Sequence, residues 1–353
     1  MNLFLESDIE EVARNLAEDA ALFSGKTVLL TGARGFLGRY FVEVFAYLNK
    51  HVLEKPCTVV GFDNLVAAGE AGAHFPDYPH LRLSKRDVIK PIEWDGGALD
   101  YVIHAAGIAS PFYYRAYPLE TLEVAVAGTR NMLELAMKHG ARFTFFSSSE
   151  IYGDPEAGHV PTQESYRGHV SCRGPRACYD ESKRVGETLC YIYHDKFGTP
   201  TTTIRPFNVF GPGMQESDYR VLPNFASRLK AGQPLHLYGV GVQTRTFCYI
   251  TDALTGFLQA IAKGVPGEAY NIGNPLPEIS MLDLVKAIEK TIGKPIDYNV
   301  IEYPDSYPAD EPMRRCPDIR KAQLQLKYQP RVSLEEGLRR FFSWTDGVYT
   351  GRP

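Results

Sequence analysis

Two hydrophobic rhythms alternate along this chain, and the switches between them divide its first two hundred residues into elements. Short runs suited to buried strands occur at Lys26–Thr31, Cys57–Phe62, Asp100–His104 and Arg142–Ser147, and β-branched Thr201–Arg205 reads as the strand after the Tyr179 helix. Between them apolar residues recur at helical spacing, from Gly38 to Ala46, from Leu119 to His139 and around Tyr179, and a short strand precedes Arg86. Ahead of all these, residues 7–23 read as an amphipathic helix with Ile9, Val12, Ala13 and Leu16 on one face. Ser7 and Glu10 have the spacing of a capping box there. That helix is expected to pack on the outside of the strand-and-helix alternation and to carry no chemistry. The alternation from 26 to 205 predicts an α/β fold, a Rossmann-like doubly wound parallel sheet.

Beyond Arg205 the rhythm loosens, with prolines at 206, 212, 223, 234, 266, 275 and 277 and two further helices near 279–292 and 334–344. This part reads as a smaller C-terminal substrate-binding lobe. The expected division is residues 1–205, with about 246–272 returning to the main sheet, as the dinucleotide-binding domain, and 206–245 with 273–353 as the lobe. A length of 353 residues accommodates both.

Composition excludes more than it assigns. A formal net charge of −4 without any basic run argues against a nucleic-acid surface. No apolar run approaches ~18 residues, and the acidic N-terminal stretch lacks the character of a signal peptide, so no membrane association is expected. The six cysteines at 57, 172, 178, 190, 248 and 316 show no Cys-x-x-Cys spacing. Reduced thiols in a cytoplasmic protein, with no metal site, are the expectation.

The candidate chemistry lies at the strand ends. Gly32-Ala-Arg-Gly35-Phe36-Leu37-Gly38 comes directly after the first strand and opens a helix, so its glycines permit a tight turn and close approach of backbone N–H groups to a pyrophosphate. Asp63, with Asn64 next to it, ends the second strand, where a carboxylate binds the adenosine ribose diol and repels a 2′-phosphate; NAD+ is therefore expected over NADP+. Asp87 and Val88 come after the third strand and fit beside the adenine, and small Ala105 and Ala106 end the fourth, where backbone must pass close to the cofactor. His104 reads as a packed strand residue. The fifth strand delivers Ser148, Ser149 and Glu150 to the edge where open α/β sheets place ligands. Tyr179 and Lys183 lie one helical turn apart, and an ammonium beside a phenol favours the phenolate, which makes a base near neutral pH. With 21 tyrosines in the chain, about one such pair is expected by chance, so its weight comes from the company it keeps.

Together, Gly32/Gly35/Gly38, Asp63, Ser148, Tyr179 and Lys183 resemble the extended short-chain dehydrogenase/reductase superfamily, in its nucleotide-sugar branch. Within that branch Ser110-Pro111 with Tyr114, Ser149–Pro155, Gly174–Asp180, Phe207-Asn208, Arg220-Val221 with Asn224-Phe225, Gln243–Phe247 and Arg315–Ile319 look like UDP-glucuronate decarboxylases. The resemblance covers nearly all of 26–344. It implies tightly bound NAD+ recycled within each turnover: C4 of a UDP-linked glucuronate is oxidised, the β-keto acid loses CO2, and the 4-ketopentose is reduced to UDP-xylose. By the same resemblance Tyr179 is the base at O4, Lys183 lowers its pKa and holds the nicotinamide ribose, and Ser148 shares the O4 hydrogen bond. Glu150 is placed near the sugar ring and Arg315 at the carboxylate. Tyr114, Ser149, Arg176, Asn208, Arg220, Val221, Asn224 and Arg245 are implied to bind the nucleotide sugar. A homodimer through a four-helix bundle, made by the 119–139 and Tyr179 helices, is implied too.

Ser149 stands where 4,6-dehydratases keep an acid for water loss, and 4-epimerases more often lack a glutamate at the position of Glu150. Both points favour decarboxylation, with a uronic-acid 4-epimerase, then a 4,6-dehydratase, as rival chemistries and a non-catalytic NAD-binding regulator as the rival class. The chain departs from the decarboxylase pattern at His104–Ile108, at Ser148 in place of threonine, at Gly213 where arginine is common, and at Tyr219 where glycine is common. Simpler roles also fit: Arg315 as part of a surface ion pair with Arg314 and Asp318 nearby, Glu150 as a turn cap, and Tyr113, Tyr114 and Tyr117 as loop packing.

Overall fold

The computed structural model of the chain describes residues 4–68, 77–239, 241–302 and 312–351. Strands β1 (Thr27–Thr31), β2 (Thr58–Asp63), β3 (Leu81–Lys85), β4 (Tyr101–His104), β5 (Arg142–Phe146) and β6 (Thr201–Pro206) join a later strand, Ala269–Ile272, in one sheet. Its order is Ala269–Ile272, β6, β5, β4, β1, β2, β3, and every pairing is parallel. The order reverses between β1 and β4, which makes the crevice at their C-terminal ends the place for a ligand.

Alternate residues of the strands feed two cores. Val28, Leu30, Ile103, Phe146 and Ile204 pack on one face, with the helices Glu6–Leu16 (α1), Phe36–His51 (α2) and Ile250–Lys263. Leu29, Val102, Phe143 and Phe145 pack on the other, with Met132, Leu133, Cys190 and Tyr193 from helices Thr129–His139 and Ala177–Phe197. The helix Ile250–Lys263 is buried from Ile250 through Ala262, and its polar stripe is covered by the N-terminal segment, where Thr251 bonds Glu11 at 2.9 Å and Lys263 bonds Asp19 at 2.6 Å.

The structure corrects four details of the sequence reading. The first helix is α1, Glu6–Leu16, with Leu5 at its N-cap and no side-chain capping bond, so Ser7 and Glu10 form no capping box. The start is instead fixed by packing: Asp8 is fully buried and accepts hydrogen bonds from the Tyr249 hydroxyl at 2.7 Å and from Arg340 at 3.1 Å. Residues Ala17–Phe23 continue as a 3₁₀ helix after Ala17 turns at φ 47°. The 119–139 helix starts at Pro118 and contains a π-helical turn at Val124–Gly128, where a Cβ on Gly128 would lie 2.9 Å from Val88. Of residues 246–272, Ala269–Ile272 reaches the main sheet, while Cys248–Tyr249 pairs with Val209–Phe210 beside it. Three later helices, Val221–Lys230, Ile250–Lys263 and Arg320–Leu326, have no counterpart in the sequence reading. The later chain also supplies a small sheet of Ile279–Ser280, Thr244–Arg245 and Arg314–Arg315.

Candidate active site

At the glycine turn, backbone crowding dictates residue choice. Gly32 has φ +72°, and a Cβ there would stand 2.9 Å from the Ala105 carbonyl and the Ala106 nitrogen. A Cβ on Gly38 would collide with the Gly32 carbonyl, so these two glycines let β1, β4 and α2 converge. Gly35 is the N-cap of α2; no side chain caps that helix, which leaves its first amides directed at an anion site. Asp63 ends β2 and accepts backbone N–H bonds from Arg34 at 2.9 Å and Leu65 at 2.7 Å, each to a different oxygen. Those bonds fix the carboxylate at the strand end with lone pairs left for a diol. Asn64 and Asp87 brace their own turns through Val66 N at 3.1 Å and Ile89 N at 3.2 Å. Val88 is buried, and its carbonyl accepts from Asn131 at 2.8 Å. His104 bonds Thr31 at 2.8 Å and Thr129 at 3.2 Å, and burial drives its imidazole down to about 3, so it is a neutral packed residue. Thr31 in turn accepts from Ala106 N at 3.2 Å.

Tyr179 lies in the first turn of helix Ala177–Phe197, and it lines the same cavity as Ser148. The Lys183 ammonium is buried, donates to the Phe146 carbonyl at 2.8 Å and stands 5.6 Å from the centre of the Tyr179 ring. Burial lowers Lys183 to about 8. It also pushes Tyr179 up to about 12, assisted by the charges of Glu150 and Asp180 and opposed by Ser148. The ammonium sits over the ring while desolvation acts on the phenol oxygen, and that burial opposes the shift toward phenolate that the spacing suggests. Tyr114 is buried and stacks on Tyr179 with centroids 5.3 Å apart and planes at 13°.

Glu150 lies in the short 3₁₀ turn Ser149–Tyr152, whose N-cap Ser148 accepts from Glu150 N at 3.2 Å. Arg315 reaches it from the far end of the chain. Strand Arg314–Arg315 pairs in parallel with Thr244–Arg245, and successive side chains of a strand point to opposite sides. Arg314 therefore turns to Glu278, with both bonds at 2.7 Å, while Arg315 forks onto Glu150, with both bonds at 2.6 Å. Asp318 is taken by Arg320. Arg315 is thus no surface ion pair; it is 8% exposed. Arg176 also donates to Glu150, and its Nε donates to Asp180 at 3.2 Å. Burial and the neighbouring Glu150 hold Asp180 above the usual carboxylate range. Asp180 is a site residue that sequence reasoning missed, although its i, i+4 spacing from Arg176 is visible in the chain.

A cavity of about 750 Å³ joins these groups. Tyr114, Ser148, Ser149, Glu150, Arg176, Tyr179, Lys183, Asn208, Arg220, Val221, Asn224, Arg245 and Arg315 all line it, as do Phe36, Leu37 and Ala105. Asn208, at φ 39°, donates to the Thr246 carbonyl at 2.8 Å, and Arg245 donates to the Thr244 carbonyl at 2.8 Å. The Arg220 guanidinium lies 5.8 Å over the Phe36 ring. Gly32, Gly35, Gly38, Asp63, Asn64, Asp87, Val88 and Ala106 lie off the cavity wall, along the adjoining edge of β1, β2, β3 and β4. Among the described residues no cluster of three metal-ligating side chains occurs.

Crowded glycines at the turn, a carboxylate ending β2 and a tyrosine–lysine pair beside a hydroxyl fit a dinucleotide and define a dinucleotide-dependent enzyme scaffold. The chain belongs to the NAD dependent epimerase/dehydratase family, whose model matches residues 28–273. It is 39% identical to UDP-glucuronic acid decarboxylase 1 of Xenopus tropicalis over 89% of this chain and 71% of that protein. It is 36% identical to UDP-glucuronic acid decarboxylase 6 of Arabidopsis thaliana over 89% of this chain and 87% of that protein. Among solved structures it is similar to UDP-glucuronic acid 4-epimerase from Bacillus cereus in complex with UDP-glucuronic acid and NAD, with 25% identity and a TM-score of 0.74, covering 92% of this chain and 100% of that one. NAD is the cofactor, in agreement with the glycine turn and Asp63.

Proposed function

We propose that the protein decarboxylates UDP-glucuronate to UDP-xylose by C4 oxidation, CO2 loss and re-reduction. The observation that carries this reading is the bidentate Glu150–Arg315 pair on the cavity wall, on the same strand-end turn as Ser148. Bound NAD+ supplies the acceptor for the C4 hydride and returns it to the ketone. The chain's own groups do the rest. Tyr179 takes the O4 proton, Ser148 holds O4, and Lys183 is the cation of the ribose side. The ketone at C4 delocalises the electron pair released as CO2 departs. Arg315 and Arg176 present guanidinium groups to the substrate carboxylate, and Glu150 manages the proton at C5. Ser149 offers no acid for water loss. Asn208, Arg220, Val221, Asn224 and Arg245 bind the nucleotide; Tyr114 packs against the base Tyr179 on the sugar side.

The division into a dinucleotide-binding domain (1–205 with about 246–272) and a lobe (206–245 and 273–353) accompanies this reading. The active form is a homodimer. Leu119, Val126, Tyr191 and Phe197 are large apolar residues left 46–70% exposed on the helices expected to form its bundle, which supports that assembly. Among the described residues no helix is long and apolar enough to cross a membrane, and the free cysteines fit a cytoplasmic setting.

Mass analysis of the product from UDP-glucuronate tests the function. Loss of CO2 supports decarboxylation, no change in mass replaces it with 4-epimerisation, and loss of water replaces it with dehydration. Free NADH should not accumulate at steady state.

A further inference from the structure

Phe112 and Tyr219 both line the cavity, yet both are strongly exposed, at 51% and 61%. Their rings stack, with centroids 5.6 Å apart and planes 2° from parallel. The two residues come from opposite walls. Phe112 lies in the short helix Pro111–Ala116 beyond β4, and Tyr219 lies in the turn ahead of helix Val221–Lys230.

Each ring is carried on a braced support. Two residues along a helix turns a side chain to the opposite face, so while Tyr114 is buried against Tyr179, Phe112 is held at the rim. On the other wall Asp218 accepts from Arg220 N at 3.0 Å and from its Nε at 2.9 Å, and Arg220 in turn covers Phe36 of the glycine turn. The stack therefore ties the helix beyond β4 to the wall that carries Arg220, across the rim of the cavity. Offset stacking of this kind is favourable, and both rings present their outer surfaces to water.

We propose that Phe112 and Tyr219 form an aromatic clasp at the rim of the cavity that retains the nucleotide sugar through its keto stage. They thereby determine whether the pentose or the 4-ketopentose leaves. The inference rests on the decarboxylation reading. A ketone that escapes before reduction leaves the two electrons removed from C4 on the enzyme as one NADH, whereas a retained ketone accepts them and a proton and departs as the pentose. The clasp acts on the competition between escape and reduction and touches neither Tyr179 nor Lys183.

The test uses the full chain with UDP-glucuronate, measuring pentose and ketopentose by mass and NADH by absorbance. Phe112→Ala and Tyr219→Gly are each expected to raise the ketopentose-to-pentose ratio by roughly two- to tenfold, the scale of one aromatic pair, with one NADH per ketone. The double variant should add little to either single change, and Tyr219→Phe, which keeps the ring, should behave as wild type. UDP dissociation, measured by stopped flow, should accelerate in the same two single variants. Unchanged partition in a variant that still decarboxylates overturns the clasp. Absence of any decarboxylation in the wild type overturns the activity reading instead, and the UDP rates then decide the clasp: unchanged rates overturn it, and faster rates support it.

Discussion

The oxidation end and the carboxylate end of the cavity are assembled in contrasting ways. At the first, Tyr179 and Lys183 come from one helix and Ser148 from the adjoining strand end, so short-range geometry sets their relation. At the second, Glu150, Arg176 and Arg315 meet from three segments, and Arg315 arrives only through the register of a two-residue strand against Thr244–Arg245. The oxidation end is neutral at the phenol and poor in ion pairs. The carboxylate end is a row of alternating charge, Asp180, Arg176, Glu150 and Arg315, held in partial burial. A local pair survives small shifts between the parts of the fold; two guanidinium groups converging on one carboxylate do not. On the proposed activity, the oxidation shared with other epimerase/dehydratase chemistry would rest on the local end, and the handling of a uronic acid on the assembled one.

The most direct way to break this comparison is to remove the base. Tyr179→Phe should leave NAD+ binding intact by calorimetry while C4 oxidation falls by roughly 10²-fold or more. Retention of oxidation in that variant would move the base elsewhere. At the other end, Arg315→Met leaves Glu150 with one cationic partner in a partly buried site. Chemical denaturation should report a loss of up to about 3 kcal/mol, and decarboxylation should fall without a matching change in NAD+ affinity. Arg315→Lys should recover stability better than activity, since an ammonium cannot replace a planar two-pronged donor.

A smaller effect comes from the sheet between the two ends. The folded-state pKa of His104 is depressed to about 3 from 6.5, so between those values the unfolded chain binds the extra proton and stability rises with pH. Acidification from about pH 6 to about pH 4.5 should cost about 2 kcal/mol at this residue. His104→Asn should lose that portion of the acid sensitivity, read as the difference between the two stability–pH curves. The smallest expected change is in cofactor choice. Asp63→Asn removes one charge at the ribose end and should narrow the preference for NAD+ over NADP+ by roughly fivefold, the size of a partly screened charge pair. Equal binding of both cofactors by the wild type would remove Asp63 from that role.

Much of the framework is legible in the sequence because periodicity reports burial directly. The predicted strand runs correspond to β1, β2, β4, β5 and β6, since a strand covered on both faces is rich in apolar and β-branched residues along its whole length. The start of α1 is misleading in the sequence because the capping pattern at Ser7 competes with a tertiary demand, the buried bonds of Asp8 to Tyr249 and Arg340. The pKa of Tyr179 misleads for a related reason: spacing reveals that an ammonium is near, but not that it lies over the ring while desolvation raises the phenol.

By itself, then, the sequence determined the parallel sheet, the glycine turn, the carboxylate ending β2 and the helical pairing of Tyr179 with Lys183. Each comes from rules acting over a few residues: strand and helix periods, the absence of a Cβ, one turn of helix. Only the tertiary structure decided that Arg315 rather than Arg314 enters the cavity, that Asp180 steadies Arg176, and that Phe112 meets Tyr219 at the rim. Those outcomes depend on which face of a strand looks inward and on how two distant walls are set against each other. No local rule carries that information, because it is fixed by packing the whole chain at once.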